Sequence, residues 1–278
     1  MPGRARTEHP EVLDVECERV GDAEDAVAAM LAGTLAGVIL RGVLDQNTVS
    51  AWVTRLRADG ERLPTFRPPV FNGHVFGKPL VGASEGLDDY LEQAQKFRDV
   101  CDSISPSHRD IENRIHQALQ SICGAMPASV PHAADGRSYL AATIRILVEG
   151  DQLPLHYENE TLDRPVMKPL SPLLDHATLM SFYLPLVLPE AGGRLRLFNT
   201  HCLDGGDSLI GRLGGEEHAI PQFERNGYSV LEPTVGDLLI FDGGRWYHDV
   251  TPIEAGSRWT LGGFLAVTRQ RDAVLYWS

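Results

Sequence analysis

The chain has 278 residues, 43% hydrophobic and 23% charged, an ordinary globular balance at a length that can bury a sizeable core. Its net charge of −13 repels phosphate backbones and anionic lipid, so nucleic-acid polymers and membrane surfaces are not expected partners. No stretch reaches the roughly 18 apolar residues of a membrane span. The opening MPGRARTEHPEV has no apolar signal core, and Cys17, Cys101, Cys123 and Cys202 form no CxxC pair. A cytoplasmic protein with reduced thiols and a small-molecule substrate is the expectation.

Residues 1–12 read as a frayed polar start. Residues 22–35 predict a helix, with Ala26, Val27, Met30 and Leu31 at helical spacing, and 37–44 a short strand. Asp45 marks a helix start leading into 49–59, where Val49, Trp52, Val53 and Leu56 share a face. Residues 60–86 are rich in Pro, Gly and Phe and read as one long loop, a wall or lid of a pocket. Two helices follow over 87–103 and 107–123, with Ser107 or Asp110 as a cap for the second. After about residue 136, strand-like runs succeed one another: Thr143–Val148, 178–186, 193–198, Leu238–Phe241 and 260–267. Helices first and then a β-sandwich or barrel is the plan, mainly β with flanking helices. One domain is expected over 1–278, with 13–135 as helical support and lid and 136–278 as barrel core.

His156 and Glu158 flank Tyr157. Side chains two apart in a strand point the same way, so both can aim at one point. An imidazole and a carboxylate are two of the three ligands of a facial iron(II) triad. By itself HxE is weak, and a surface His beside a surface Glu is the ordinary alternative. The run VGDLLIFDGGRWYHDV at 235–250 changes that weighting. A turn opens a buried strand, a glycine pair ends it, and His248 follows. Ten residues further on, Arg258 heads another strand. The second His completes a triad with open positions for a bidentate 2-oxo acid and O2, and the Arg grips the far carboxylate of that acid with a forked, always-charged donor.

Other residues have weaker roles in prospect. Thr143 and Arg145 share a strand face and are candidates for 2-oxo acid binding. His74 and Lys78 in the long loop are candidates for an anionic substrate group. Arg194 and Arg196 share a face, read as solvated. Asp242 and Arg245 are placed as braces of the His248 turn, and Trp246 and Phe264 as core. His132, His176, His201 and His218 have no metal spacing.

These residues resemble the double-stranded β-helix (jelly-roll, cupin-like) family of Fe(II)/2-oxoglutarate-dependent oxygenases. A closer likeness, from about residue 13 onward, is to the aliphatic halogenases of hapalindole/welwitindolinone-type alkaloid biosynthesis. It is carried by ATIRILVEG at 142–150, LP at 184–185, PEAGG at 189–193, FDGGR at 241–245 with Tyr247 and His248, GGFLA at 262–266 and the terminal YWS at 276–278. The likeness implies iron(II), with 2-oxoglutarate and O2 as cosubstrates, held by His156, Glu158, His248 and Arg258. It implies a substrate wall at Asn72, Gly73, Leu153, Thr161 and Ser181, several of them polar here. One departure matters: these halogenases carry glycine where this chain has Glu158, and the missing carboxylate makes room for chloride. Glu158 fills that room, so hydroxylation of an aliphatic C–H in a small polar metabolite is expected, with succinate and CO2 as coproducts. Desaturation, cyclisation, epimerisation and halogenation share the same radical chemistry and are the near alternatives. A metal-binding cupin-like barrel without oxidation is the distant one.

Overall fold

Asp45 sets the first long helix. Its carboxylate accepts from the backbone N–H of Thr48 at 2.9 Å, satisfying one donor that the helix start leaves unpaired. The expected face, Val49, Trp52, Val53 and Leu56, is the buried one. Loss of the Trp52 side chain from that face would cost about 3–5 kcal/mol.

The structure is a computed structural model describing residues 11–84, 86–105, 107–202 and 209–278. In chain order its elements begin with β1 (Val12–Glu16), α1 (Ala26–Ala32), β2 (Gly37–Arg41), α2 (Gln46–Asp59), β3 (Thr65–Phe66) and β4 (His74–Phe76). Then come α3 (Leu87–Ile104), α4 (His108–Ser121), β5 (Ala128–Ser129), β6 (Thr143–Val148), β7 (Leu153–His156), β8 (Met180–Val187), β9 (Ala191–Gly192) and β10 (Leu195–His201). The last are α5 (Leu209–Arg212), α6 (Glu216–Asn226), β11 (Tyr228–Leu231), β12 (Leu238–Phe241), β13 (Trp246–Val250), β14 (Ile253–Ala255), β15 (Ser257–Val267) and β16 (Val274–Trp277).

Several expectations need correction. Of the polar start expected over 1–12, residues 1–10 lie outside the described residues, and Val12 already belongs to the strand Val12–Glu16, parallel to β2. The helix expected over 22–35 is confined to Ala26–Ala32, because Gly33 takes φ 75° and its N–H turns back to the carbonyls of Ala29 and Met30. Residues 60–86 are not one loop. β3 and β4 lie within them, and β4 pairs with β6, which extends the main sheet. Ser107 makes no capping bond to α4.

The large sheet runs β1-β2-β12-β8-β15-β6-β4-β3, with β16 pairing β15 and β5. A smaller sheet runs β11-β10-β13-β7. Three apolar clusters order the layers. One packs α1–α4 on the outer face of the large sheet, through residues such as Met30, Trp52, Phe97, Ile115, Ile144 and Leu184. A second lies between the sheets and joins Ile39, Leu147, Leu239 and Phe241 to Leu195, Leu197, Trp246 and Val250. A third, with Leu155, Phe198, Phe223 and Tyr247, packs α6 on the outer face of the small sheet. The protein is thus mainly β with several helices, and the layer between the sheets is where polar side chains gather.

Candidate metal centre

Alternation along two strands of the small sheet sets the site. Leu155 and Tyr247 point outward to the α6 side. Their neighbours His156 and His248 therefore point inward. The two histidines are direct cross-strand partners, with ring centroids 4.2 Å apart. His248 thus sits within β13, the strand that follows the glycine pair.

Strand pairing ends at His156, and Glu158 opens a short 3-10 turn (Glu158–Thr161). Tyr157 stays extended at φ −140°, ψ 148°, so the two-residue rule still turns Glu158 to the side of His156. The turn is held on each side. The Glu158 N–H donates to the Gly243 carbonyl at 2.8 Å, and Thr161 Oγ1 donates to the Glu158 carbonyl at 2.8 Å. Asn159 Oδ1 accepts from the Leu179 N–H at 2.7 Å. Gly243 is needed as glycine because a Cβ there would lie 2.8 Å from Glu158 Cγ.

Nε2 of His248 and of His156 lie 3.4 and 3.7 Å from Glu158 Oε1. The ligand atoms of the three residues all fall within 4.8 Å of one another. Each imidazole is oriented from behind: His156 Nδ1 donates to the Pro154 carbonyl at 2.7 Å and His248 Nδ1 to the Trp246 carbonyl at 3.0 Å. A carbonyl can only accept, so Nδ1 of each ring carries a proton and Nε2 is the nitrogen turned toward a metal. Burial works against a charged Glu158, but hydrogen bonds and charge from His156 and His248 hold its carboxyl well below the usual range. Burial lowers the His248 imidazole, and the neighbouring His156 lowers it further. An ionised carboxylate with two Nε2 donors on one side is the donor set of a facial iron(II) site, and these residues fit that ion.

Arg258 is 6% exposed, and its guanidinium lies 4.8 Å from the ring centroid of Tyr183. Cross-strand register places Leu147 opposite Arg258 and Arg145 opposite Thr260. Leu147 belongs to the inner cluster, so Arg258 and Arg145 both face the layer between the sheets. Arg145 keeps solvent access although protein surrounds it. Burial lowers its pKa, the Glu158 charge opposes this and Arg258 adds to it. Thr143 shares that face, but its hydroxyl is engaged with Ser278 Oγ at 2.6 Å.

The expected substrate-wall residues separate. Ser181 donates to Glu158 Oε1 at 2.7 Å. Leu153 packs against the inner cluster. Thr161 braces the Glu158 turn, as above. Asn72 is bound through N and Nδ2 to Asp151 Oδ1 at 2.6 and 3.0 Å, and Gly73 N donates to Asp151 Oδ2 at 2.9 Å. A Cβ on Gly73 would come within 2.0 Å of the Ile146 carbonyl oxygen. His74 pairs with Ile146 and stacks edge-on against Phe76 at 4.7 Å, on the helix side of the sheet and away from Arg145. Lys78 is tied to Asp89 at 2.5 Å. Within 60–86 it is Phe71 that packs against the inner cluster.

Asp242 and Arg245 brace the His248 turn as expected. Asp242 accepts from Thr178 Oγ1 and from Arg245 Nε at 2.8 Å, and Arg245 Nη2 reaches the Leu31 carbonyl at 3.1 Å. Arg196 departs from its expected solvated role: it forms a paired contact with Asp249 at 2.9 and 2.5 Å and another with Glu224 at 2.7 Å. Sequence reasoning passed over Tyr183, Phe71 and the contact of Ser181 with Glu158. Alternation along β8 places Ser181 and Tyr183 on one face, a signal that points both to the same layer.

The chain belongs to the family described as the carrier-protein-independent halogenase WelO5, whose model matches residues 9–278. That membership places it among the Fe(II)/2-oxoglutarate oxygenases that its motifs resemble. A search of curated proteins found no match. Among solved structures, the chain is similar to an N-substituted L-amino acid dioxygenase from Burkholderia ambifaria AMMD, at 15% identity over 90% of each chain and a TM-score of 0.52. The same dioxygenase in complex with alpha-KG matches at 16% identity over 91% of this chain and 90% of that one, also with a TM-score of 0.52. At such identities the likeness speaks for the fold. No helix among the described residues is long and apolar enough to cross a membrane.

Proposed function

We propose that this protein is an Fe(II)- and 2-oxoglutarate-dependent hydroxylase of an aliphatic C–H in a small, polar, specialised metabolite. The observation that carries the reading is the placement of Glu158. A full carboxylate stands 3.4 and 3.7 Å from the two imidazole Nε2 atoms, at the position that the related halogenases leave to glycine. In the overall reaction one oxygen atom of O2 enters the C–H bond and the other enters succinate, as 2-oxoglutarate loses CO2.

His156, Glu158 and His248 would hold the iron, which supplies activation of O2 when bound. The chain's own work is positioning. Arg258 would take the distal carboxylate of 2-oxoglutarate, with the Tyr183 ring supporting its guanidinium. Arg145, on the same face, offers a second cation for the same dianion. Thr143 lies on that face too, its hydroxyl hydrogen-bonded to Ser278 Oγ. Leu153 and Phe71 would form the apolar part of the substrate wall. Asn72, Gly73 and Thr161 would shape that wall through the backbone they hold.

The two facing sheets are read as the halves of a double-stranded β-helix, forming one domain over 1–278 with helices behind the larger sheet. A small-molecule substrate, with no nucleic-acid polymer or membrane as partner, and a cytoplasmic setting complete the proposal. Halogenation is the second reading, favoured by the family to which the chain belongs.

The deciding experiment supplies the protein with Fe(II), 2-oxoglutarate and O2, with and without candidate polar metabolites and chloride. Substrate-stimulated succinate release and a product heavier by one oxygen atom support hydroxylation. A chlorinated product would replace it with the second reading. No succinate release with any candidate would favour a non-oxidative metal-binding barrel.

A further inference from the structure

A glutamate ligand is harder to hold than an aspartate. It has one more rotatable bond, and long side chains lose up to about 2 kcal/mol of rotamer freedom when fixed. The chain shows two features around this longer arm. Gly243 leaves space beside Glu158 Cγ, where a Cβ would stand only 2.8 Å away. Ser181 Oγ donates to Glu158 Oε1 at 2.7 Å, and Ser181 is itself only 7% exposed. That same oxygen is the one facing the Nε2 atoms of His248 and His156, at 3.4 and 3.7 Å.

Ser181 comes from the large sheet, whereas both histidines come from the small sheet. Its neighbours across the sheet are Phe241 on β12 and Phe264 on β15, neither of which offers a side-chain hydrogen bond. A hydroxyl at this point is therefore the polar anchor that the large sheet extends to the carboxylate. Being neutral, it steadies the ionised carboxylate without cancelling the charge a metal needs.

From this geometry we infer that Ser181 is a positioning residue for Glu158, fixing Oε1 toward the two imidazoles so that the centre is preorganised as a two-histidine, one-glutamate site. This rests on the reading of Glu158 as a ligand. It replaces the expected contact of Ser181 with substrate by a role in holding the metal.

The test is Co(II) titration of the metal-free protein, followed by ligand-field absorption and calorimetry, with no turnover involved. Ser181→Ala is expected to weaken Co(II) binding about tenfold, the low end for loss of an outer partner of a metal ligand, and to change the absorption bands. Ser181→Thr, which keeps the hydroxyl and adds no metal-binding atom stronger than it, should bind Co(II) more tightly than Ser181→Ala, which separates loss of the hydroxyl from a change in packing. The cycle closes with Glu158→Ala and the double variant, in which removal of the Ser181 hydroxyl should have no further effect. Unaltered affinity and spectrum in Ser181→Ala would overturn the inference while Glu158 remains a ligand. So would an equal loss with and without Glu158, since that would reveal a general packing effect. Unchanged Co(II) binding in Glu158→Ala alone would remove the ligand reading itself.

Discussion

His156 and His248 stand directly opposite each other on neighbouring antiparallel strands, and each is oriented by the carbonyl two residues before it in the chain. The pair is therefore a property of strand register. A one-residue slip of either strand would turn that strand's ring to the α6 side and separate the pair. Either His156→Ala or His248→Ala should take Co(II) or Fe(II) binding out of the measurable range in calorimetry. Far-UV circular dichroism should stay unchanged, because His156 is partly exposed and neither ring is a large part of the core.

Glu158→Gly tests the departure that separates this chain from the halogenases it resembles. The variant is expected to lose oxygen insertion. In its Co(II)-loaded form the absorption bands should respond to added chloride, whereas those of the unaltered protein should not. Full retention of hydroxylase activity in the variant would remove Glu158 from the working site.

Arg258 offers a fork that matches a carboxylate with two parallel hydrogen bonds, and it lies over the Tyr183 ring. Lysine keeps the charge but loses both the fork and the planar stack. Arg258→Lys should raise the 2-oxoglutarate KM by about tenfold or more, the equivalent of about 1.4 kcal/mol. Succinate formation against 2-oxoglutarate concentration is the measurement, and an unchanged KM would assign the distal carboxylate to another cation.

Asp151, 2% exposed, ties the 72–73 segment to the end of β6. It accepts from Asn72 N and Nδ2, Gly73 N and Val148 N at 2.6–3.0 Å. Burial raises its carboxyl pKa, but the backbone N–H groups of Val148, Asn72 and Gly73 outweigh this and hold it below the ordinary value. The folded pKa is thus lower than the unfolded one. The linked stability is fully present above the unfolded pKa of about 3.9 and is lost as pH falls through the folded value. Asp151→Asn should cost about 1–3 kcal/mol at neutral pH, because an NH2 group replaces one acceptor among converging donors. Urea unfolding at pH 7 and at pH 3 should show the gap between the variant and the unaltered protein narrowing in acid.

Much of this was legible in the chain because it is local. The bounds of Thr143–Val148 and Leu238–Phe241 follow from short apolar runs between turn residues. The buried face of α2 follows from helical spacing. His156 with Glu158 follows from a spacing of two, which survives the change from strand to 3-10 turn because Tyr157 stays extended. β4 and β13 were not legible in the same way. β4 is three residues within a Pro- and Gly-rich segment and exists because β6 offers it an edge. β13 is buried at all five positions, so no alternation marks it as a strand.

The sequence alone determined which side chains are available for a metal and a dicarboxylate: two imidazoles, one carboxylate longer by a methylene than aspartate, and an arginine ten residues after the second imidazole. Chemistry of that kind resides in residue type and short spacing. Only the tertiary structure decided that Ser181 serves Glu158, that Asn72 and Lys78 are already engaged, and that His74 faces the helices. Those outcomes depend on which strands pair and on which face of each strand is turned inward, and partners from 11 to 79 residues away settle both.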